Sequence, residues 1–467
     1  MSLNEIRRKP VIGFLGIMQQ LYDKVMPSLT AHQEAFAREV VGRLADTAEV
    51  LFPKAARCRE DIEEIMAGFA AAKVDGILIV NLTYGPALRM VNAFRDVSTP
   101  LLLANIQPEP GVTKSWTMDD LTYNHGIHGS QDTANSLLHL GKKFIVWSGN
   151  WKSDEFIEVF ETFATAAHTV TVMKQTKIAV FGRMPGMGDI LSDPFAFTRR
   201  LGPQIDHYGM GSIVTEMDKA TKPEIDAVLD YARANFDIDP TLKPAQMEEA
   251  AKIQVGITRM LEQSGYDAFS LYFDEIGLDG RFSQIHMMAA SNLMAEGYGY
   301  SAEGDTNVAA LMVAGRVIAP DPHFTEMYAM DFKLDAALQS HMGEGNWKVG
   351  RKDRRPRLIN RPLSIGGLDN PPTVLFQGEP GPATLVSLVT IGEQYRLVVA
   401  GGNILDTEEL PAIEMPYFFF KPNTGVRACL DGWLRNGGTH HQVLHLGDTR
   451  AKWKAYSEFA GIEYVEV

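Results

Sequence analysis

The sequence predicts an α/β protein with two doubly wound parallel-sheet domains, followed by a β-rich C-terminal domain that is antiparallel or barrel-like. In the first third, short apolar runs alternate with helical patterns, which is typical of strands buried on both faces. A second series of this kind begins near Lys177. The last third holds β-rich runs separated by Gly and Pro clusters. We therefore expect domains at 1–170, 171–325 and 326–467.

The first predicted sheet rests on four apolar runs, each short enough for a buried strand. These runs are Val11–Ile17, Ile77–Asn81, Leu101–Asn105 and Phe144–Trp147. Helical patterns at Ala31–Leu44 and Asp61–Ala72 lie between them. In such sheets the functional groups follow the carboxyl ends of the strands. Gln19 and Tyr22 follow the first strand and therefore take that kind of position.

The middle of the chain repeats the alternation. A strand at Ile178–Phe181 precedes the loop Gly182–Asp189, whose glycines and Pro185 indicate unusual backbone angles. Its spacing is not Gly-x-Gly-x-x-Gly, which argues against nucleotide binding. The further elements of this region are predicted as helices at Pro223–Ala234, Pro244–Gln263 and Phe282–Glu296, with a strand at Ala268–Phe273. The last third is predicted to hold strands at Thr373–Phe376, Ala383–Ile391, Tyr395–Ala400, Tyr417–Phe420 and His441–Leu446.

Charge and composition exclude several classes of function. The 467 residues carry 44 Lys and Arg against 58 Asp and Glu, a net charge of −14. So acidic a chain is not expected to bind nucleic acid or an anionic membrane surface. We find no run of about 18 apolar residues and no signal-peptide pattern. The two cysteines, Cys58 and Cys429, supply no disulfide framework, which favours the cytoplasm.

Carboxylates and histidines in the second half of the chain are candidates for metal chemistry. They are Glu303, Glu326, His341 and the tandem pair His440 and His441. Imidazole together with carboxylate suits Mn²⁺, Co²⁺, Fe²⁺ or Zn²⁺. No short spacing rule links these residues, so hydrogen-bonded core histidines and solvent-exposed acids remain the alternative. The glycine-rich setting of Glu303 favours a ligand loop, because glycines let backbone and carboxylate approach a ligand closely.

Four ordered segments resemble motifs of the L-arabinose isomerase family. MAEGYGYSAEGDTNVAAL resembles the central signature of that family, and QQLY resembles its N-terminal Gln-x-Leu-Tyr motif. FTEMYAMDF followed by QSHMGE resembles its Phe-x-Glu-x-Tyr and Ser/Ala-His-Met-x-Glu segments. GGTHHQV resembles its Gly-Gly-Ala-His-His-Thr-Val block. The resemblance covers most of the chain and is weakest at about 190–265 and 345–430.

The resemblance implies a role for each matching residue. Glu303 and Glu326 match catalytic, metal-binding glutamates, and His341 and His441 match the ligand histidines. His440 is the less favoured ligand of the tandem pair and is expected to contact substrate. The other expected substrate contacts are Gln19, Tyr22, Phe273 and His128, the last of which the family brings from a neighbouring subunit. The resemblance further implies a divalent metal, foremost Mn²⁺, and a homotrimer or homohexamer.

The implied activity is interconversion of an open-chain aldose and ketose through a cis-enediol. Departures from the family pattern lie around the expected sugar site: Gln20 replaces His, His125 replaces Gln, and Thr306–Asn307 replaces Trp-Lys. We therefore expect a sugar substrate that differs from L-arabinose. A metal-dependent epimerase or aldolase keeps the same residues and changes the reaction. A non-catalytic sugar-binding protein is the third alternative.

Overall fold

The computed structural model describes residues 6–363 and 365–467. Contacts between Cα atoms divide the chain into two compact units. The N-terminal unit spans Arg8–Thr171, and the second unit comprises Val172–Val467 together with residues 6–7. None of the described helices is both long enough and apolar enough to cross a membrane.

The described part of the N-terminal unit is a five-stranded parallel sheet, in the order β2-β1-β3-β4-β5, with helices between the strands. The strands are β1 (Val11–Ile17), β2 (Glu49–Leu51), β3 (Gly76–Asn81), β4 (Leu101–Asn105) and β5 (Ile145–Ser148). The helices are α1 (Tyr22–Val25), α2 (Leu29–Leu44), α3 (Arg59–Ala71), α4 (Val91–Phe94), α5 (Met118–Tyr123), α6 (Ile127–His139) and α7 (Asp154–Met173).

Burial on both faces explains why β1, β3 and β4 are continuous apolar runs. Every residue of β3 is buried, and helices cover the sheet on both sides. The approach is so close that a Cβ on Gly76 would lie 2.7 Å from the ring of Phe163 in α7. Gln19 and Tyr22 follow the carboxyl end of β1, as the sequence predicts.

The second unit begins with a four-stranded parallel sheet, in the order β10-β9-β6-β7 among its described residues. Its strands are β6 (Lys177–Phe181), β7 (Gln204–Tyr208), β9 (Ala268–Leu271) and β10 (Gly299–Ala302), and a short β8 (Asp237–Ile238) pairs elsewhere. The helices are α8 (Pro194–Leu201), α9 (Gly211–Met217), α10 (Lys222–Asn235), α11 (Pro244–Ser264), α12 (Phe273–Asp279), α13 (Met287–Glu296) and α14 (Thr306–Ile318).

A closed antiparallel barrel follows in the same unit. Its six strands run in the order β15-β18-β11-β12-β17-β16, and β15 pairs with β16 to close the ring, while β19 adds to β16 in parallel. The strands are β11 (His323–Asp331), β12 (Ala336–Ser340), β15 (Gly381–Ile391), β16 (Gln394–Ile404), β17 (Tyr417–Pro422), β18 (His441–Leu446) and β19 (Glu463–Glu466). Strands β13 (Arg357–Asn360) and β14 (Pro372–Leu375) form a small sheet with β8, and the last helices are α15 (Val426–Arg435) and α16 (Arg450–Ala460).

The predicted fold class is confirmed: two parallel sheets with helices precede an antiparallel barrel. Two local predictions are wrong. Phe273 begins α12 instead of ending β9, since Asp274 and Glu275 supply the acidic first turn that favours a helix N-terminus. The helix predicted from Phe282 begins only at Met287. The division of residues 172–467 at about residue 325 stays a prediction.

Candidate active site

Glu303 lies in a strained turn between β10 and α14. Its backbone takes a positive φ of 66°, which side chains other than glycine rarely adopt, and Gly304 follows with a φ of 85°. A Cβ on Gly304 would lie 2.7 Å from the Cβ of Arg183, so only glycine fits there. Asp305 then caps α14 by accepting hydrogen bonds from the backbone N–H groups of Asn307 and Val308. Strain of this kind clusters at functional sites.

Barrel register brings the other candidate residues together. Glu326 on β11 is directly opposite His441 on β18, and on its other side it is opposite Ser340 on β12. His341 follows Ser340 at the end of β12. Pairing of three adjacent antiparallel strands therefore gathers one carboxylate and two imidazoles whose positions in the sequence are far apart.

The four predicted ligands converge. The Nε2 atom of His441 lies 3.3 Å from Glu303 Oε2 and 3.4 Å from Glu326 Oε1, and Nε2 of His341 lies 3.9 Å from Glu326 Oε2. Both histidines and Glu303 are buried. The ring of Phe324 packs against both imidazoles, with centroid distances of 4.5 Å to His341 and 5.0 Å to His441.

The outer nitrogen of each imidazole faces a buried carboxylate. His441 Nδ1 lies 2.9 Å from Asp305 Oδ2, and His341 Nδ1 lies 3.1 Å from Glu344 Oε2. Glu344 also accepts a hydrogen bond of 2.7 Å from the hydroxyl of Tyr300. Metal-ligating histidines are typically oriented by such a carboxylate. Neither Asp305 nor Glu344 was predicted from the sequence, although Asp305 has a helix-cap position and Glu344 follows His341 at i+3.

The site concentrates charge in a buried volume. Burial lowers the pKa of His441, but the hydrogen bond to Asp305 and the nearby carboxylates of Glu303 and Glu326 outweigh it and raise that pKa well above the ordinary value. Burial raises the pKa of Glu326, but the neighbouring histidines lower it by more, so that the pKa is lowered overall. Contact with His341 and Tyr300 overcomes burial and lowers the pKa of Glu344 to about 2. The lowered pKa values keep the Glu326 and Glu344 carboxylates ionised at neutral pH.

Several buried polar atoms fit a bound cation. Glu303 Oε2, His441 Nε2 and His440 Nε2 have no hydrogen-bond partner in the described part of the chain. Unpaired buried polar atoms are costly, so such a cluster points to a missing ligand. Two overlapping groups, Glu303/His440/His441 and Glu326/His341/His441, each hold their donor atoms within 4.8 Å of one another. Two carboxylates with imidazole nitrogens suit Mn²⁺, Co²⁺, Fe²⁺ or Zn²⁺.

The glycine-rich loop 182–189 lies against this centre. Gly182 and Gly186 have φ values of 76° and 89°, which confirms the unusual backbone angles predicted for the loop. The backbone N–H of Met184 donates to the carbonyl of Glu303 over 2.9 Å. At the end of the loop, Asp189 Oδ2 lies 2.7 Å from Nδ1 of His440. This contact was not predicted from the sequence.

Phe273 lies at the same sheet edge as Glu303. It begins α12 two residues after β9, the parallel neighbour of β10, and the backbone N–H of Glu303 donates to the carbonyl of Leu271. Its ring is half-buried and makes an edge contact with Tyr272 at a centroid distance of 5.2 Å. A sugar contact by Phe273 stays a prediction.

The remaining predicted substrate contacts belong to the N-terminal unit. The hydroxyl of Tyr22 lies 2.7 Å from Nε2 of His125, and the ring of His125 lies 5.9 Å from that of His128. Gln19 is half-buried in the turn after β1, and His128 is exposed on α6. The unit thus groups Tyr22 with His128 through His125, while their contact with a sugar stays a prediction.

The departure at residues 306–307 is accommodated inside the protein. Thr306 and Asn307 are buried in the first turn of α14. The side chain of Asn307 accepts a hydrogen bond of 2.5 Å from Ser192 and donates one of 3.2 Å to Thr390. Asn307 is therefore hydrogen-bonded to its surroundings, whereas the buried hydroxyl of Thr306 has no hydrogen-bond partner among the described residues.

Two family models match the second unit. A model described as the L-arabinose isomerase central domain matches residues 192–321, and one described as the L-arabinose isomerase C-terminal domain matches residues 321–463. The chain is 30% identical over 406 residues to the L-arabinose isomerase of Bacillus subtilis, covering 84% of this chain and 80% of that protein. It is 28% identical to the L-arabinose isomerase of Clostridium beijerinckii, covering 84% of this chain and 81% of that one.

Solved structures give only a distant likeness. A periplasmic solute-binding protein of Actinobacillus succinogenes with bound D-allose aligns at 12% identity and a TM-score of 0.17, over 66% of this chain and 92% of that one. A likeness at this level carries no argument about the site.

Proposed function

The chain belongs to the L-arabinose isomerase family, and on that premise we propose a metal-dependent aldose–ketose isomerase whose ion is held by Glu303, Glu326, His341 and His441. The aldose–ketose isomerase class follows from the relatives named L-arabinose isomerase. One observation carries the metal proposal: two carboxylates and two imidazoles converge, and each imidazole is backed by a buried carboxylate. We expect Mn²⁺ foremost, with Co²⁺, Fe²⁺ and Zn²⁺ as alternatives.

The chain's own acids would move the protons. The reaction converts an aldehyde at C1 and a hydroxyl at C2 into a hydroxymethyl group and a ketone. One of the two glutamates removes the C2 proton while the second, as a carboxylic acid, gives its proton to the carbonyl oxygen at C1, which produces a cis-enediol. The second glutamate takes the hydroxyl proton at O2, and the first returns its proton to C1. A divalent ion, when bound, would polarise the two sugar oxygens and make the C2 proton more acidic.

Neutral imidazoles suit this scheme. His341 and His441 each turn Nε2 toward the carboxylates, while a buried acid faces Nδ1. With Nδ1 carrying the proton, Nε2 offers its lone pair.

We propose that the sugar differs from L-arabinose. The support lies in Gln20, His125 and Thr306–Asn307, where the chain departs from the family pattern. His125 bonds the hydroxyl of Tyr22, a matched substrate position, so that replacement bears directly on sugar contact. Pentoses, hexoses and 6-deoxy sugars are the class to test.

We propose a homo-oligomer, by family resemblance a trimer or hexamer, in which His128 of one subunit serves the metal centre of a neighbour. Complementation tests this idea. Glu303→Gln and His128→Asn should each abolish most activity, and co-assembled mixtures of the two should regain part of it. Mixtures that stay as inactive as the separate variants would contradict the shared site. The cytoplasm is the expected location, consistent with two cysteines that form no disulfide.

Ketose formation tests the activity. The metal-loaded protein is assayed against the sugar panel in D₂O, beside Glu303→Gln and a control, Glu393→Gln, which makes the same change in an exposed carboxylate. We expect one aldose to give its ketose with solvent deuterium at C1, only in the parent and the control. Deuterium at C2 of an inverted aldose would indicate epimerisation, and loss of carbon chain would indicate an aldolase. No turnover of any sugar would contradict the proposal.

A further inference from the structure

We infer that Asp189 is a positioning residue that fixes the tautomer of His440, so that His440 offers Nε2 as an acceptor for a hydroxyl of an open-chain sugar. The contact between His440 and a sugar depends on the proposed function, whereas the tautomer is inferred from the contacts between Asp189 and His440. Asp189 lies at the end of the loop 182–189, and His440 immediately precedes β18. Both line one cavity, together with Thr439 and Gln442, the neighbours of the tandem histidines in the sequence.

A double contact sets the tautomer. Asp189 Oδ2 accepts the backbone N–H of His440 over 3.0 Å and lies 2.7 Å from Nδ1 of the same residue. An ionised carboxylate can only accept hydrogen bonds, so Nδ1 must carry the proton. Hydrogen bonds from His440 lower the pKa of Asp189 to about 2, and the carboxylate is therefore ionised at neutral pH. In the neutral ring, Nε2 then holds the lone pair.

That lone pair is aimed at the site. Nε2 of His440 is buried without a hydrogen-bond partner among the described residues and lies 3.7 Å from Glu326 Oε1. The ring centroid of His440 is 4.1 Å from that of His441. With Glu303 and His441, His440 also forms one of the two clustered donor groups. A sugar hydroxyl that reached Nε2 would donate a hydrogen bond to it, because this atom has no partner among the described residues.

The loop that carries Asp189 is tied to the opposite side of the same centre. Met184 N–H donates to the carbonyl of Glu303, and Arg183 Nη2 donates to the carbonyl of Gly304 over 3.3 Å. Asp189 therefore couples the strained turn at Glu303 to the tandem histidines. Nδ1 of His441 likewise lies 2.9 Å from a carboxylate oxygen, Oδ2 of Asp305. Adjacent imidazoles are thus oriented by separate carboxylates.

Nitrogen NMR tests the tautomer without any turnover. The protein is labelled with ¹⁵N-histidine, held at about pH 8.5, where an ordinary imidazole is neutral, and His440 is assigned by the signals lost in His440→Gln. In the parent we expect His440 to be protonated at Nδ1 and unprotonated at Nε2. In Asp189→Ala we expect a larger fraction of the rings to be protonated at Nε2. A parent ring protonated at Nε2, or an unchanged ring in Asp189→Ala, would overturn the inference.

Kinetics tests the sugar contact. Asp189→Ala is expected to raise KM about tenfold while kcat changes much less, since the loss falls on a residue that orients a binding group. In a His440→Ala background the same change should have no further effect, because Asp189 acts through His440. Asp193→Ala, which removes a helix cap in the same segment, is the matched control and should leave KM unchanged.

The outcomes separate the inference from the proposed function. A parent that turns over no sugar refutes the proposed function, and the NMR result still decides the tautomer. If the parent is active and Asp189→Ala raises KM by the same factor in the wild-type and His440→Ala backgrounds, the positioning role is refuted. A KM effect equal in Asp193→Ala would also refute it, because general disturbance of the segment would then explain the loss.

Discussion

Asp305 faces a histidine of the proposed metal centre without being one of the proposed ligands, and Asp305→Asn isolates its expected contribution. Its Oδ1 accepts the backbone N–H groups of Asn307 at 2.8 Å and Val308 at 3.1 Å, while Oδ2 faces His441 Nδ1 at 2.9 Å. Asn caps helices about as well as Asp, so the variant keeps α14 intact. It loses the negative charge that holds the Nδ1 proton of His441.

The magnitude follows from burial. His441 and Asp305 are 0% and 1% exposed, so water cannot replace the lost carboxylate. An amide can also turn its NH₂ group toward Nδ1, which would move the ring proton to Nε2 and block metal binding. Loss of such a supporting partner typically weakens metal affinity about 10- to 100-fold. That corresponds to about 1.4–2.8 kcal/mol of binding free energy.

Calorimetric titration of Mn²⁺ into chelator-stripped protein measures this loss. Asp305→Ala is the companion variant, because it removes the cap as well and should lower the unfolding free energy by about 1 kcal/mol more than Asp305→Asn. Parent-like Mn²⁺ affinity in Asp305→Asn would refute the reasoning. So would a loss of affinity that appears only in Asp305→Ala, because helix capping alone would then explain it.

Three further predictions concern metal and charge. At a Mn²⁺ concentration 100 times Kd, the metal should stabilise the parent by about 2.7 kcal/mol, and His341→Asn should lose most of this shift in thermal unfolding; an equal shift in both would contradict the ligand role. The neighbouring acids raise the pKa of His441 despite burial, so this imidazole must lose a proton before it can bind metal. Mn²⁺ affinity should therefore fall about tenfold for each pH unit between about pH 8 and pH 6. A Kd that does not change with pH would contradict this prediction. The side chain of Asp75 is fully buried and contacts Arg8 and His168. Hydrogen bonds from these two residues overcome the effect of burial and lower the pKa of Asp75. Its contribution is therefore present above the unfolded pKa of about 3.9 and is lost as pH falls through the lower folded value. Asp75→Asn should cost about 3 kcal/mol in urea unfolding at neutral pH, a difference that shrinks below about pH 4, and a constant difference would contradict the pairing.

The strands that the sequence predicted well share one physical property. The structure gives the predicted bounds for Val11–Ile17, Leu101–Asn105 and His441–Leu446, runs whose apolar side chains are buried except for the half-buried Val11 and Leu446. The strands that were not predicted are β2, β7, β8, β10, β11, β12, β13 and β19. β11 carries His323, Glu326 and an exposed outer half, so its pattern is neither a continuous apolar run nor a clean alternation.

The candidate site was predictable in part. Family-like motifs pointed to Glu303, Glu326, His341 and His441, which the structure brings together. The supporting acids were not foreseen, since they depend on three-dimensional contacts: Asp189 approaches His440 across 251 positions and Asp305 approaches His441 across 136. Only Glu344 is close in sequence to its histidine, three residues after His341. Contacts between residues so far apart in the sequence leave no local pattern from which they could be predicted.

Anomalous diffraction from a Mn²⁺-soaked crystal would locate the ion itself. We expect one strong peak with Glu303, Glu326, His341 and His441 at about 2.0–2.3 Å, as expected for oxygen and nitrogen ligands. Nδ1 of each ligand histidine should stay on its carboxylate, and His440 should stay outside the coordination shell on Asp189. A peak elsewhere, or no peak at these residues at saturating Mn²⁺, would contradict it.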